Sequence, residues 1–151
     1  MNILVTVGTS AFDELIEAVD KQLLQSEYSL TCQIADGRYI PKNHLSIKFS
    51  NDFTSLVNNA DIVIAHGGAA TVFELLEGAK KIVLVPNTKR IDKHQHDLAG
   101  FVQKQNYGVV CWSLETLLES VRFAQQQTFA PYHKEPFFMA RNILQYFNLV
   151  S

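Results

Sequence analysis

The stretch from Ala60 to Pro86, ADIVIAHGGAATVFELLEGAKKIVLVP, decides how the chain is read. It opens on a largely apolar run (61–65) and turns at His66-Gly67-Gly68-Ala69. It then closes on a second apolar run (81–85). Short runs rich in Val and Ile are expected for parallel strands covered on both faces. Between them Val72, Phe73, Leu75 and Leu76 recur at helical spacing. A helix is therefore expected over 70–78, with Gly78 as its C-cap. Strand, turn, helix and strand in so short a span make one βαβ crossover, right-handed by the general rule.

The turn is where chemistry can occur. Gly67 and Gly68 lack Cβ atoms, so their backbone can bend sharply and approach a ligand. The helix behind them offers N–H groups without intrahelical partners and the positive end of its dipole, a setting that attracts phosphate. Thr71 adds a hydroxyl. Glu74, one turn further on, would repel phosphate but accept hydrogen bonds from sugar hydroxyls. This local chemistry suits a nucleotide, with the diphosphate at the glycines and the ribose at Glu74. It is equally that of a tight βα turn followed by a solvated glutamate, because two adjacent glycines are a weak motif on their own.

Outward from this unit, strands and helices alternate. Upstream, a strand over 2–7 ends at Gly8-Thr9-Ser10. A helix over 12–24 follows, with Leu15, Ile16, Val19, Leu23 and Leu24 on its inner face. Ser10 is a plausible N-cap for it, with Asp13 three residues later. Gly8 and Thr9 thus form a second strand-to-helix turn, which in a parallel sheet opens on the same edge as the first. A strand over 30–35 ends at Asp36-Gly37, a polar loop spans 38–43, and a short strand covers 45–49. A helix over 51–60 is capped by Ser50 or Asn51, with Phe53, Leu56 and Val57 inward. Downstream, a polar loop (87–93) carries Lys89 and Arg90. It leads to a helix over 94–106 closed by Tyr107-Gly108, a strand over 109–112, and a helix capped by Ser113 that runs to Gln126. After a polar break at 125–133 comes an amphipathic helix over 136–147. The alternation predicts one domain over 1–151, an open, doubly wound parallel α/β sheet.

Composition narrows the function classes. At 151 residues and 47% hydrophobic the chain has enough apolar side chains for a core of its own. The net charge of −2 argues against a nucleic-acid partner. No apolar run has the roughly 18–20 residues that span a bilayer. The first residues lack the basic flank and cleavage site of a signal peptide, so a cytoplasmic location is expected. Cys32 and Cys111 are expected as buried thiols in a reducing compartment.

Several motifs are absent. The first turn carries one glycine where a dinucleotide fingerprint needs G-x-G-x-x-G, and neither a P-loop nor a G-x-S-x-G elbow occurs. His94, His96 and Asp97 do not make a metal site, because helix positions i and i+2 point apart. His94 and Gln95 fit better as polar groups at a helix start beside a ligand, and Lys89 and Arg90 as loop charges. No metal or cofactor is expected.

HGGAATVFELLEGAKKIVLVPN followed by KHQHDLA, with the opening VTVGTSAFDELIEAVD, resembles the C-terminal, donor-binding half of family 28 glycosyltransferases. Within that family it is similar to the small catalytic subunits of split, two-component enzymes. These include bacterial exopolysaccharide and capsule enzymes and the eukaryotic enzyme that forms lipid-linked chitobiose. The resemblance runs from Met1 to about Gln127. It implies half of a GT-B fold, with a Rossmann-like domain acting as an inverting transferase on a UDP-sugar. Gly8 and Thr9 would lie near the donor, and His66, Gly67, Gly68, Ala69 and Thr71 would hold the diphosphate. Glu74 would bind the ribose, and His94 and Gln95 would stand near the donor sugar.

The same resemblance implies a lipid-linked acceptor and a membrane-anchored partner subunit carrying the acceptor half. The chain would then sit peripherally on the inner face of the membrane. Its catalytic base is unassigned: it belongs to the partner or is His66 or His94. Three positions depart from many relatives, Ala70 and Ala35 where glycine is common and Thr71 where serine is. A non-catalytic nucleotide-sugar module on the same fold remains an alternative, as does a hydrolase or epimerase. Homodimerisation is a further possibility for the apolar 136–147 segment.

Overall fold

The computed structural model describes residues 1–24, 26–89 and 94–134. Its strands are β1 (Asn2–Thr6), β2 (Ser29–Gln33), β3 (Leu45–Ile47), β4 (Ile62–His66), β5 (Lys81–Val85) and β6 (Val109–Val110). All pair in parallel, in the order β3-β2-β1-β4-β5-β6. The helices are α1 (Asp13–Gln22), α2 (Phe53–Asn59), α3 (Ala69–Glu77), α4 (His94–Lys104) and α5 (Leu117–Gln126). This is the doubly wound α/β sheet that the alternation of elements predicts.

Each strand faces two cores because its side chains alternate. Ile3, Val5, Ile62, Ile64, Val83 and Val85 pack with α1 and α5 on one face. Leu4, Val63, Ala65, Ile82 and Leu84 pack with Val57 of α2, Val72 and Leu75 of α3, and Ala99 and Val102 of α4 on the other. The central strands read as apolar runs for this reason, and β4 is buried at all five positions. Fully burying one such Leu, Ile or Val contributes about 1.5–3 kcal/mol.

Several boundaries differ from those expected. α1 starts at Asp13 with Phe12 as N-cap and no side-chain cap. Ser10 therefore caps nothing, and Asp13 instead accepts from the backbone N–H groups of Arg38 (2.9 Å) and Tyr39 (3.2 Å). Leu24 is 57% exposed, because the helix has ended two residues earlier. α2 is capped by Asp52, which accepts from Ser55 N–H at 3.0 Å, not by Ser50 or Asn51. The last strand is two residues long, so Cys111 lies just beyond it, although the Cys111 N–H still donates to the Leu84 carbonyl (2.8 Å).

Two helix ends are closed differently from expectation. Gly78 is the C-cap of α3 but has φ −78°, and the left-handed residue is the next one, Ala79, at φ +52°. Ala79 N–H donates to Leu76 and Lys80 N–H to Leu75, completing a Schellman closure. α4 closes in the same way around Asn106 at φ +55°. Gly108 is not a cap. A Cβ there would fall 2.4 Å from Ile82 Cγ1, so this glycine lets the chain enter β6 against β5.

The break after α5 is not simply polar. Ala130 N–H donates to the Asn106 carbonyl (2.8 Å). Tyr132 packs between Phe73 and Tyr107, with ring centroids 5.8 and 5.4 Å away. Lys134 pairs with Glu77 at 3.0 Å. The helix expected over 136–147 lies outside the described residues.

Candidate functional site

In an open α/β sheet, ligands bind beyond the carboxyl ends of the strands, where the strand order reverses. Here that point lies between β1 and β4, because successive crossovers leave β1 toward β3 on one side and toward β6 on the other. The turns beyond these two strands are the two that carry Gly8-Thr9 and His66-Gly67-Gly68.

The turns interlock through glycines. Gly8 has φ +63°, and its N–H donates to the hydroxyl of buried Thr6 (3.2 Å). A Cβ on Gly8 would fall 2.5 Å from His66 Cε1, and one on Gly68 would fall 2.7 Å from both Cε1 and Nε2. The His66 ring, 8% exposed, therefore lies in contact with the backbone of both turns. Gly67 performs the same service for α4: its Cβ would meet Gln95 Cβ at 2.6 Å. Gln95 is 8% exposed, and its Oε1 accepts from Asn87 N–H at 2.9 Å, joining the loop after β5 to the turn after β4. His94 is exposed at the first position of α4.

Around this crevice the helix starts are unequal. α3 begins directly at Ala69, with Gly68 as an extended N-cap that makes no side-chain cap. Its helical bonding starts with Val72 N–H to the Gly68 carbonyl (3.0 Å), leaving the N–H groups of Ala69, Ala70 and Thr71 without intrahelical acceptors. No acidic residue stands in that first turn. Ala69 and Ala70 are exposed, Thr71 is half-buried, and Glu74 is exposed one turn on. α1, in contrast, carries Asp13 and Glu14 in its first turn. Glu14 is ion-paired with Lys89 at 2.7 Å, and that hydrogen bond holds its carboxyl below the ordinary range. The structure thus places Gly8 and Thr9 at the crevice, and of the helix starts of α1 and α3 it is that of α3 which lacks an acidic residue.

Two features escape a reading of the sequence. Asp20, only 4% exposed, accepts from Tyr39 OH (2.8 Å), Lys42 N–H (3.0 Å) and Asn43 N–H (2.9 Å), which fixes the loop after β2. Burial pushes its pKa up, but these three bonds outweigh burial and hold it below the ordinary value. Its spacing from Ile16, four residues on, was the available signal of an inward position. Gln33, 7% exposed at the end of β2, directs its amide at the Gly8 carbonyl (3.5 Å). Neither cysteine is reactive by its setting. Both are free and buried, and burial together with the Asp20 charge pushes the Cys32 thiol up to about 12. Among the described residues no three His, Cys, Asp or Glu side chains gather as metal ligands. No helix among them is long and apolar enough to cross a membrane.

A parallel sheet with a glycine turn and a bare helix start at its reversal point defines a Rossmann-like fold, and its solved neighbours include GT-B glycosyltransferases. One is MurG of Acinetobacter baumannii, with TM-score 0.71 and 21% identity, matching over 99% of this chain and 52% of that one. The chain belongs to the glycosyltransferase family 28 C-terminal domain family, which it matches over residues 2–143. Among curated relatives it is 37% identical over 120 residues to the mouse UDP-N-acetylglucosamine transferase subunit ALG13. That match covers 71% of this chain and 10% of the mouse protein. It is also 27% identical over 109 residues to a Prochlorococcus marinus enzyme, covering 68% of this chain and 30% of that one. The latter is UDP-N-acetylglucosamine–N-acetylmuramyl-(pentapeptide) pyrophosphoryl-undecaprenol N-acetylglucosamine transferase. The chain therefore spans less than a third of either relative's length.

Proposed function

We propose that this chain is the donor-binding, catalytic half of an inverting glycosyltransferase that moves a sugar from UDP to a lipid-linked acceptor. The observation that carries the reading is the start of α3. Free N–H groups behind Gly67-Gly68, no acidic residue in the first turn, and Glu74 one turn on sit together at the sheet's reversal point. The diphosphate rests on Gly68, Ala69 and Thr71, and Glu74 accepts from the ribose hydroxyls. As the acceptor hydroxyl displaces UDP at the anomeric carbon, the bond to the diphosphate oxygen breaks and negative charge grows on that oxygen. The fixed N–H groups and helix dipole stabilise this charge, the role a divalent metal has in other transferases.

The proton of the acceptor hydroxyl goes to a base. Of the chain's own histidines, exposed His94 is better placed to meet an acceptor than buried His66. A partner subunit supplying the acceptor half is the other source. That the mouse relative is a transferase subunit supports a partner, and the Prochlorococcus enzyme, a pyrophosphoryl-undecaprenol N-acetylglucosamine transferase, supports a polyprenyl-diphosphate-linked acceptor and N-acetylglucosamine as the sugar. A membrane-attached partner would hold the chain at the membrane face.

Calorimetry with UDP tests the reading directly. Glu74→Ala is expected to weaken UDP binding by about 1–3 kcal/mol, the cost of removing a charged hydrogen-bond acceptor. Unchanged affinity would remove Glu74 from the site.

A further inference from the structure

A second recess opens on the same carboxyl edge but on the other face of the sheet. It has a volume of about 300 Å³ and lies between the start of α1, the end of β5 and the segment after β6. Phe12 and Leu114 in its wall belong to the α1/α5 core, whereas α3 packs into the opposite core. No residue of the α3 start lines the recess, which borders the nucleotide turn through Asn87, whose N–H donates to Gln95 Oε1.

Its lining has a definite chemistry. Phe12, Val85 and Pro86 are apolar, and Trp112, 40% exposed, adds an indole. That indole is held in place: its Nε1–H donates to Gln103 Oε1 (3.0 Å), and the His96 ring packs on it at 4.9 Å. Glu14, Glu115 and Asn87 supply acceptors and an amide, and the one cation among the described lining residues, Lys89, is already paired with Glu14. With two carboxylates against one ammonium the recess disfavours a phosphate. An aromatic plane flanked by carboxylates instead fits a neutral ring with C–H faces and hydroxyl edges. The walls are also tied together. Gln22 of α1 donates to the Leu114 carbonyl (2.6 Å) and accepts from Leu118 N–H (3.2 Å), so little ordering is left for a ligand to impose.

We infer that this recess is a saccharide subsite that takes one pyranose ring against Trp112, with hydroxyls donating to Glu14 and Glu115. Because no residue of the α3 start lines the recess, the ring belongs to the acceptor. That choice of source rests on the reading under Proposed function, whereas sugar binding itself does not.

Trp112 is the sole tryptophan of the 151 residues, so its emission and its indole N–H resonance report from the subsite alone. The probes for the full chain are N-acetylglucosamine and chitobiose, each without and with saturating UDP, and UDP-N-acetylglucosamine as a separate arm. Millimolar saccharide is expected to shift the Trp112 signals, and to do so equally with UDP bound. Glu115→Gln should weaken the effect about five-fold. Trp112→Ala, followed through the Leu114 and Glu115 amide resonances and checked for folding by circular dichroism, should weaken it at least three-fold, roughly what is expected for a lost aromatic contact. If Trp112→Ala does not fold, Glu115→Gln decides. Silence of Trp112 toward both saccharides, or full affinity in Glu115→Gln, overturns the subsite. Displacement of the free saccharide by UDP-N-acetylglucosamine but not by UDP assigns the recess to the donor's sugar and overturns the acceptor assignment. Saccharide binding in a chain that does not bind UDP upholds the subsite and counts against the donor reading instead.

Discussion

Helices α1 and α3 leave the sheet from neighbouring strands, β1 and β4, and the contrast between them is instructive. Both start next to a glycine-bearing turn at the same edge, and neither has a side-chain N-cap. Yet α1 places two carboxylates in its first turn and Asp20 further along, and each of these three binds another part of the chain. Asp13 holds Arg38 and Tyr39, Glu14 holds Lys89, and Asp20 holds Tyr39, Lys42 and Asn43. α3 has no acidic residue in its first turn, and its nearest carboxylate, Glu74, faces solvent. One helix start is neutralised by its own side chains and serves the fold. The other keeps its positive end open and is the one suited to an anion.

The largest effect should come from the structural side of this contrast. Asp20→Ala removes the acceptor of three charge-assisted hydrogen bonds, from the Tyr39 hydroxyl and the Lys42 and Asn43 N–H groups, and is expected to destabilise the fold by about 3–5 kcal/mol in urea unfolding. UDP affinity should be unchanged wherever the variant is folded. The pH dependence follows from the sign of the shift. A carboxyl held below its ordinary value of 3.8 stabilises the fold above that pH, and the stabilisation is lost as pH falls through the lowered value. Wild type and variant should therefore converge in strong acid. A gap that persists there would mean that Asp20 acts through packing, not charge.

Next in size is the contact between the two turns. Gly8→Ala puts a Cβ both at φ +63° and 2.5 Å from the His66 ring. A cost of about 3 kcal/mol is expected, part from the left-handed backbone and part from overpacking. Adding His66→Ala should recover the packing part alone. Full additivity of the two changes would break the picture of turns locked through the ring.

The electrostatic half of the contrast can be inverted at one position. Ala70→Asp gives α3 the acidic first turn that α1 already has. Stability should rise by about 0.5 kcal/mol through the helix dipole. UDP binding should meanwhile fall at least about ten-fold, because a fixed carboxylate then competes for the same N–H groups. Opposite signs in melting and calorimetry are the signature, and unaltered UDP affinity would place the diphosphate elsewhere.

The smallest effect lies at the far end of α3. Ala79 is exposed and carries φ +52°, so Ala79→Gly should stabilise the chain by about 1 kcal/mol with no change in ligand binding. Thermal unfolding resolves a shift of this size in a domain of this length.

Much of this protein was legible in its sequence. Alternating apolar runs and helical stripes specify a doubly wound parallel sheet, since strands covered on both faces admit few polar residues. HGGAATVFE marks the turn and helix start as the candidate site, because only glycine lets the backbone come so close to a ring or a ligand. What the sequence left open depended on contacts between distant segments. Whether Gly78 or Ala79 takes the left-handed angle is set by where the last helical bond of α3 closes. Whether Ser10 caps α1 depended on the turn's path, and Asp13 was drawn instead to a loop 25 residues away. Gln95 reads as a ligand group in sequence, and only the fold shows that it is also a tie between turns, buried against Gly67 and bonded to Asn87. Asp20 shows the same limit. A carboxylate on an apolar stripe looks like a solvated residue until the donors of Tyr39, Lys42 and Asn43 fold over it. Periodicity specifies which face of an element is buried, and only the assembled fold decides which polar groups find partners there.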